Sequence, residues 1–450
     1  MKYTPGPYTQ ARLKAAIDVV EIALTNRYLK DGAITEADEK RYWREAVEKA
    51  SFGRNTVMYD DLGYPSVMVA LPLLTEKELL STGRNYAHPA YLINDKNIPM
   101  LYISKYQNIV QGTGADARAL SLKGVDPKTA INHDDAITAC RQKGTGWHCM
   151  TNAEWAAVAL LCKVRGFQPR GNNSYGKDHS VTSEAGVPSY TYDSSGTKYI
   201  GRVATGSGPV AWTHDGTPFG IYDLNGNIYE WTPGLRLNGG EIQIIKNNNA
   251  ADNAKDLSAT SDLWRAMLQD GTLVHTKWVT GTNYALNTYI SVGGKVYKVT
   301  TAGVAGAIEP TWPDNVDETV EDGAVVWTCV ADATLKYDAE NTNDPPTGIQ
   351  INTVFTDKTS GDEYLSKSFQ TVAAASGVTV PDVMKLLALA PIDTNHGGDG
   401  IYIRNHGERC AFRGGLWSST SNAGVFCLYL GNTRTSAGNN LGFRSAFASL

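Results

Sequence analysis

The stretch that most constrains this chain runs from Cys410 to Arg444, where two kinds of residue interleave. Trp417, Val425, Phe426, Leu428, Leu430, Leu441 and Phe443 are side chains that proteins bury, and they recur at strand-like spacing. Between them lie Ser418, Ser419, Asn422, Gly431, Asn432, Ser436, Gly438, Asn439 and Asn440, small polar residues that favour turns and exposed loops. In Phe426-Cys-Leu-Tyr-Leu430 the period of two puts Phe426, Leu428 and Leu430 on one face, with Cys427 and Tyr429 on the other. A firm framework carrying Ser, Gly, Asn and an outward tyrosine suits recognition better than catalysis. A Gly/Ser/Asn-rich loop closing a β-domain has the same composition, so the decision rests on what lies upstream.

The chain has 450 residues, more than one compact unit usually holds, so two or three domains are expected. With 19% charged and 42% hydrophobic residues it reads as a soluble globular protein. A net charge of −5 argues against a nucleic-acid binder. No apolar run reaches the length of a membrane helix, and no apolar core follows Lys2 to make a signal peptide. Cys140, Cys149, Cys162, Cys329, Cys410 and Cys427 lack metal-type spacing, which leaves buried or incidental thiols in a protein made in a reducing cytoplasm. No metal and no cofactor is expected.

Residues 1–95 read as a partly helical N-terminal region for attachment or oligomerisation. Leu13, Ile17, Val20 and Leu24 recur at helical spacing, and Tyr42, Trp43, Ala46, Val47 and Ala50 form a second stripe, with Thr35 and Asp38 as a loose capping pair. Two such helices are marginal alone, so they are expected to pack on another subunit, the following domain or a larger particle. Met100-Leu-Tyr-Ile-Ser-Lys-Tyr106 reads as a strand and Asp134–Cys140 as a short helix. Thr151-Asn-Ala-Glu154 is a capping box that opens a helix through Arg165, with Trp155, Val158, Ala159 and Cys162 inward and Gly166 as its stop. A Ser/Thr/Gly-rich run to about Gly208 reads mostly as loop. Ile221–Trp231, with Asn225-Gly226 between apolar runs, predicts a hairpin. Asp223, Asn225, Asn227 and Glu230 read as a turn network bonding its own backbone rather than a calcium site, since the spacing is not that of an EF-hand loop.

Four segments then occur in a telling order: Gly146-Trp-His-Cys-Met-Thr-Asn-Ala-Glu-Trp155, Asp223-Leu-Asn-Gly-Asn-Ile-Tyr-Glu-Trp231, Phe412-Arg-Gly-Gly-Leu-Trp417 and Asn440-Leu-Gly-Phe-Arg444. From about residue 97 to 450 the chain resembles the formylglycine-generating-enzyme branch of the C-type lectin fold. Within it, the chain is most similar to variable proteins of diversity-generating retroelements, such as phage tropism determinants; Gly166–Asn173, Gly240–Ile245 and the unit Arg413–Arg444 add to the likeness. In that family an error-prone reverse transcriptase rewrites adenines, so that template Asn codons become many residues on a constant scaffold. The resemblance implies diversified, ligand-binding positions at Leu416, Ser418, Ser419, Tyr429, Gly431, Asn432, Ser436, Gly438, Asn439 and Asn440. Leu416, bare between Gly415 and Trp417, looks like a substituted variable site.

The expected fold class is α+β: a C-type lectin-like domain, residues 96–274 and 333–450, with a variable segment at 413–444 and a small inserted β-module at 275–332. In the module Trp278, Tyr284, Tyr289, Val296, Tyr297, Val299, Trp312, Val325, Val326 and Trp327 are spaced by turns, similar to small β-modules of phage tail fibres, with most of the tryptophans as core. Asp262–Leu268 reads as a short helix. After a polar linker at Asn343-Asp-Pro-Pro346, Ser368–Ser376 and Val380–Leu389 read as a helix pair with Pro381 in a first turn, and Asn395–Gly400 as a turn. His396 and His406 read as loop histidines without ligand spacing.

Formylglycine-generating enzymes carry two copper-binding cysteines just beyond the Gly-Gly of the C-terminal motif; Leu416–Val425 has none here. No nucleophile elbow, Walker loop or dinucleotide fingerprint occurs either. The expectation is a non-enzymatic receptor-binding protein of a phage or prophage tail, located in the virion and made in the bacterial cytoplasm. It is expected to meet a host cell-surface protein or glycan, and to contact other virion tail proteins but neither nucleic acid nor membrane. Family precedent implies a homo-oligomer, a trimer by that precedent, gaining avidity. The rivals are a formylglycine-generating-type copper oxidase and a structural virion protein with a fixed C-terminus.

Overall fold

The Thr151 box forms as its residues demand. In the computed structural model, which describes residues 7–331, 334–339, 348–354 and 364–450, the Thr151 hydroxyl accepts from the Glu154 amide and the Glu154 carboxylate accepts from the Thr151 amide. The helix Asn152–Val164 that follows is buried on every side from Asn152 to Cys162, not on one stripe alone. It is the spine of the main apolar cluster, packed against Val69, Leu101, Ile103, Leu235, Phe426 and Leu428.

Two sheets meet at this helix. One runs Asn55–Tyr59, Pro65–Pro72, Met100–Ser104, Ser445–Ala448, Trp147–Cys149, antiparallel throughout. The other passes from Glu241–Ile245 through Tyr229–Asn238, Glu408–Gly414, Gly424–Leu430 and Gly400–Arg404 to Tyr364–Ser368. The mixture of helix and strand expected from the sequence is present.

The N-terminal helices, α1 (Pro7–Asp31) and α2 (Ala37–Ser51), lie on the following domain. Ile17, Leu24 and Val47 share a cluster with Val57, Val67, Tyr106 and Trp212. Glu21 of α1, wholly buried, accepts from Lys105 Nζ at 2.8 Å and from the Tyr106 hydroxyl at 2.5 Å. The division placed at 95/96 therefore cuts through one packing unit, since Asn55–Tyr59 and Pro65–Pro72 are sheet partners of Met100–Ser104. Thr35 does not cap: α2 starts after Glu36, with no side-chain cap bond, and Tyr42 points to solvent at 62% exposure.

Tertiary pairing overrides several local patterns. Asp262–Leu268 holds the strand Trp264–Met267, because Glu241–Ile245 and Leu273–His275 pair on either side of it. Ser368–Ser376 becomes a 3₁₀ turn at Phe369–Thr371 and a short strand, Ala373–Ala374, beside Ile349–Asn352. Only Asp382–Leu386 of the second expected helix is helical, with Pro381 as its N-cap. The polar run to Gly208 contains a hairpin, Thr191–Ser194 with Thr197–Ile200. Residues 343–346 lie outside the described residues. His396 is buried, edge-on to Phe426 at 4.6 Å, rather than exposed.

Residues 275–331 have their own core of Tyr284, Ile290, Tyr297, Val299, Val325 and Trp327, with Trp278 and Trp312 half-buried against it. Asp322 accepts from the indole N–H of both Trp278 and Trp327. On either side of this segment the chain comes back to itself: the Leu335 amide donates to the Met267 carbonyl at 2.7 Å.

Ile221–Trp231 is not a hairpin. Its oxygen-rich side chains bond outward, to distant segments. Asn225 Nδ2 donates to the Pro169 carbonyl, Asn173 Nδ2 to Asn225 Oδ1, and Asn227 Nδ2 to Gln107 Oε1. Glu230 takes a two-pronged pair from Arg444 at 2.5 and 2.6 Å, both residues buried. Asp223 accepts from the Gly206 amide through Oδ2, while Oδ1 is buried without a hydrogen-bond partner.

Burial pushes the Asp223 carboxyl up from 3.8 to about 6, against the pull of the Gly206 amide, Arg444 and Lys123. Between pH 3.8 and 6 the folded state thus holds this proton more tightly than the unfolded chain does. Its contribution to stability falls as pH rises through that window, and the cost is complete above it. Asp223→Asn, which keeps an acceptor for Gly206 without the charge, is expected to gain about 1–3 kcal/mol at pH 8 and nothing at pH 4. Urea unfolding at the two pH values measures the difference; equal gains at both would assign the effect to packing instead.

Candidate functional site

Residues 413–444 form two strands and two loops on the second sheet. Phe426, Leu428 and Leu430 enter the main core as their spacing predicts. The opposite face is not simply outward: Cys427 is fully buried in a second cluster with Trp231, Cys410, Phe412 and Phe443, and Tyr429 is half-buried against it.

Tyr429 stands in a row of rings that crosses adjacent strands. Register places it opposite Phe412 on one side and Tyr402 on the other. The Phe412 ring is 4.4 Å away at 13° and the Tyr402 ring 4.9 Å away at 26°. Tyr229 meets Phe412 edge-on at 4.7 Å, and Tyr364 closes the row 6.2 Å from Tyr429. Burial holds the Tyr229, Tyr364 and Tyr402 phenols above their ordinary value, Tyr402 at about 12, so these three are neutral at physiological pH.

Two loops rise around this floor. After Gly414 and Gly415, both at positive φ, the chain turns at Leu416–Ser419: the Leu416 amide donates to Ser419 Oγ and the Ser419 amide to the Leu416 carbonyl. A Cβ on Gly415 would fall 2.6 Å from that of Ala423, so the turn needs glycine there. The Tyr175 amide donates to the Trp417 carbonyl and the Thr420 amide to the Asn173 carbonyl, which ties the loop to the amide network below.

The second loop, 431–440, is pinned by charge and by backbone. Arg434 donates to both Glu408 oxygens and to Asp134 Oδ1 at 2.6–3.0 Å. Arg202 donates to the Asn439 carbonyl, Ala130 N–H to the Gly438 carbonyl, and Tyr229 N–H to the Asn440 carbonyl. Between the pins the Thr433 hydroxyl lies 3.2 Å from that of Thr435 and 3.3 Å from that of Ser436.

Floor and loops enclose an open cavity of about 430 Å³. Of the ten positions singled out by resemblance, Leu416, Ser418, Ser419, Tyr429, Asn432, Gly438 and Asn440 line it. Ser436 and Asn439 lie outside the lining, Ser436 half-buried and Asn439 exposed. Gly431 departs from the expectation of an open variable site. It is buried, and a Cβ there would meet Tyr429 Cε1 at 2.7 Å, so any other residue would displace that ring.

Sequence reading missed Tyr229, Tyr364, Tyr402 and Phe412 of the floor and Thr420 and Asn422 of the rim. Tyr402 carries the signal that was available, sitting between buried Ile401 and Ile403 and hence on the opposite strand face. Beside the cavity, Tyr192 and Tyr199 of the 191–200 hairpin and Tyr190 just before it group with Tyr175 and Trp417 at ring separations of 5.1–6.3 Å.

None of the six thiols lines the cavity, although Cys427 packs beneath its floor against Tyr229. All six are buried, and burial raises Cys427 well above the ordinary thiol value and Cys410 to about 12. Among the described residues no three His, Cys, Asp or Glu side chains gather as a metal-binding group. A wider cleft of about 1030 Å³ borders Glu76, Arg84, Lys246 and Asp382. Glu76 pairs there with Arg84, Lys246 with Asp95 and Asp382 with Lys385, and none of the ten C-terminal positions reaches it.

With this geometry in place, comparison with known families is informative. Residues 62–265 match the sulfatase-modifying factor enzyme 1-like domain, a C-type lectin-like fold of the formylglycine-generating branch. The match covers the first sheet's strands Pro65–Pro72, Met100–Ser104 and Trp147–Cys149, the capped helix and the asparagine network, and ends before the C-terminal loops. No curated protein matches the chain.

Proposed function

We propose that this chain is a non-enzymatic binding protein that presents the 413–444 surface to a ligand, as a receptor-binding protein of a phage or prophage tail. The observation that carries the reading is the convergence of seven separately chosen positions on one cavity, over a floor fixed by core packing. A C-type lectin-like fold is compatible with ligand binding, and Tyr, Ser, Asn and Gly are the residues of adaptable binding surfaces. Buried thiols, held protonated and outside the cavity, favour binding over thiolate chemistry.

On this reading the segment is diversified by a retroelement, the partner is a host cell-surface molecule, and the protein sits in the virion beside other tail proteins. A homo-oligomer, trimeric by family precedent, would raise the avidity of a modest single site. None of this calls for nucleic acid or membrane. Among the described residues no helix is long and apolar enough to cross a bilayer.

A display library randomised at Leu416, Ser418, Ser419, Tyr429, Asn432, Gly438 and Asn440 tests the reading without knowledge of the natural ligand. Most members are expected to fold, with Ser418→Ala and Asn432→Ala each within about 0.5 kcal/mol of the parent, as for surface changes generally. Selection against unrelated targets is expected to yield binders. A library that is mostly unfolded, or yields none, defeats the proposal.

A further inference from the structure

The chemistry of the cavity narrows its ligand. None of its fourteen described lining residues is Asp, Glu, Lys, Arg or His. Nearby cations are committed elsewhere: Arg434 to Glu408 and Asp134, and Arg202 to Asp126 and the Asn439 carbonyl. Arg404, with its guanidinium 5.4 Å from the Tyr364 ring, does not line the cavity. A charged ligand would lose its hydration here without gaining a counter-charge, which is costly.

An apolar ligand fits no better, because it would leave the rim unpaired. Ser418 and the amides of Asn422, Asn432 and Asn440 can each both donate and accept, and Ser419, whose Oγ accepts from the Leu416 amide, and Thr420, whose hydroxyl donates to the Ser419 carbonyl, keep further capacity. That density of two-way hydrogen-bonding groups above aromatic rings matches a ring-shaped molecule with hydroxyls at its edge and C–H groups on its faces. The volume lies within the roughly 300–1,000 Å³ of small-ligand sites and holds one or two such rings. A protein epitope of usual size would spread over about 800 Å² of each partner, far beyond this hollow.

We infer that the cavity over Tyr402, Phe412 and Tyr429 takes an uncharged saccharide, the neutral terminus of a surface glycan, bound directly through hydroxyl and amide groups. The inference rests on the binding reading above and names its ligand class.

An array of neutral hexose- and N-acetylhexosamine-terminated oligosaccharides, with sialylated and sulfated counterparts, tests it on the full chain. Neutral members are expected to bind. Titration of the strongest is expected to give the same affinity in 50 and 500 mM NaCl and in EDTA. Tyr402→Phe, which keeps the ring and removes its hydroxyl, and Asn440→Ala should each weaken binding at least tenfold with melting temperature unchanged. Thr433→Ala, outside the cavity, should change nothing. Binding by charged glycans alone, binding indifferent to both cavity variants, or a blank array overturns the inference. If the randomised library still yields binders in that event, the binding reading survives and only the saccharide is lost; if both fail, both fall.

Discussion

Arg444→Met is expected to cost about 3–5 kcal/mol of folding free energy, the loss that follows when one partner of a buried ion pair is removed. Arg444 is wholly buried and Glu230 is 1% exposed. The guanidinium also donates to the Ser104 and Tyr222 carbonyls, so one side chain joins the first sheet, the asparagine network and the C-terminal segment. With methionine there, Glu230 keeps the amide of Gln107 as a donor but loses both prongs of the guanidinium. Urea unfolding supplies the number. The double variant Glu230→Gln with Arg444→Met should recover more than 1 kcal/mol, because it removes the stranded charge. A single-variant loss below about 1 kcal/mol would mean that the pair is not buried as described.

Trp231→Ala is expected to cost about 3–5 kcal/mol as well and to loosen the cavity floor. Its ring stands edge-on to Phe412 at 5.1 Å and to His133 at 5.5 Å, and its indole N–H donates to the Ile131 carbonyl. Phe412 is the ring on which Tyr429 stacks. Removing the indole opens a void directly beneath the floor, and the surrounding core closes over it only in part. Chemical denaturation gives the stability. Near-ultraviolet circular dichroism should lose tyrosine signal beyond that of the missing tryptophan if the ring row loosens. An unchanged tyrosine contribution would show that the floor is independent of the indole.

How much of this was readable in the sequence depended on whether the deciding contacts were local. The Thr151 box and the Ile17/Leu24 stripe involve partners a few residues apart, and both are legible. So is the alternation of Phe426, Leu428 and Leu430. The Asn225-Gly226 turn misled because Asn225 bonds to Pro169 and Asn173, some fifty positions upstream, and the Gly226 amide donates to the distant Gly414 carbonyl, not across a hairpin. The alanines at 373–375 have high helix propensity, yet pairing with Ile349–Asn352 outweighs a preference worth only tenths of a kcal/mol per residue. At the site, the 413–444 positions were accessible through family likeness. Tyr364 was not, because it joins the floor only through strand adjacency, whereas the alternation Ile401-Tyr402-Ile403 marked Tyr402's face but not its neighbours.

The strand Ser445–Ala448 lies inside the first sheet, with Met100–Ser104 on one flank and Trp147–Cys149 on the other. During synthesis its two neighbours leave the ribosome some three hundred residues before it, and they wait with their facing edges open until it arrives. A nonsense codon anywhere between 413 and 444 therefore deletes the keystone along with the loop. Such a product would expose two unpaired strand edges and invite aggregation or proteolysis. Placing the closing strand downstream of the loops makes the fold its own proofreader: only messages translated through the whole 413–444 segment supply the strand that closes the first sheet.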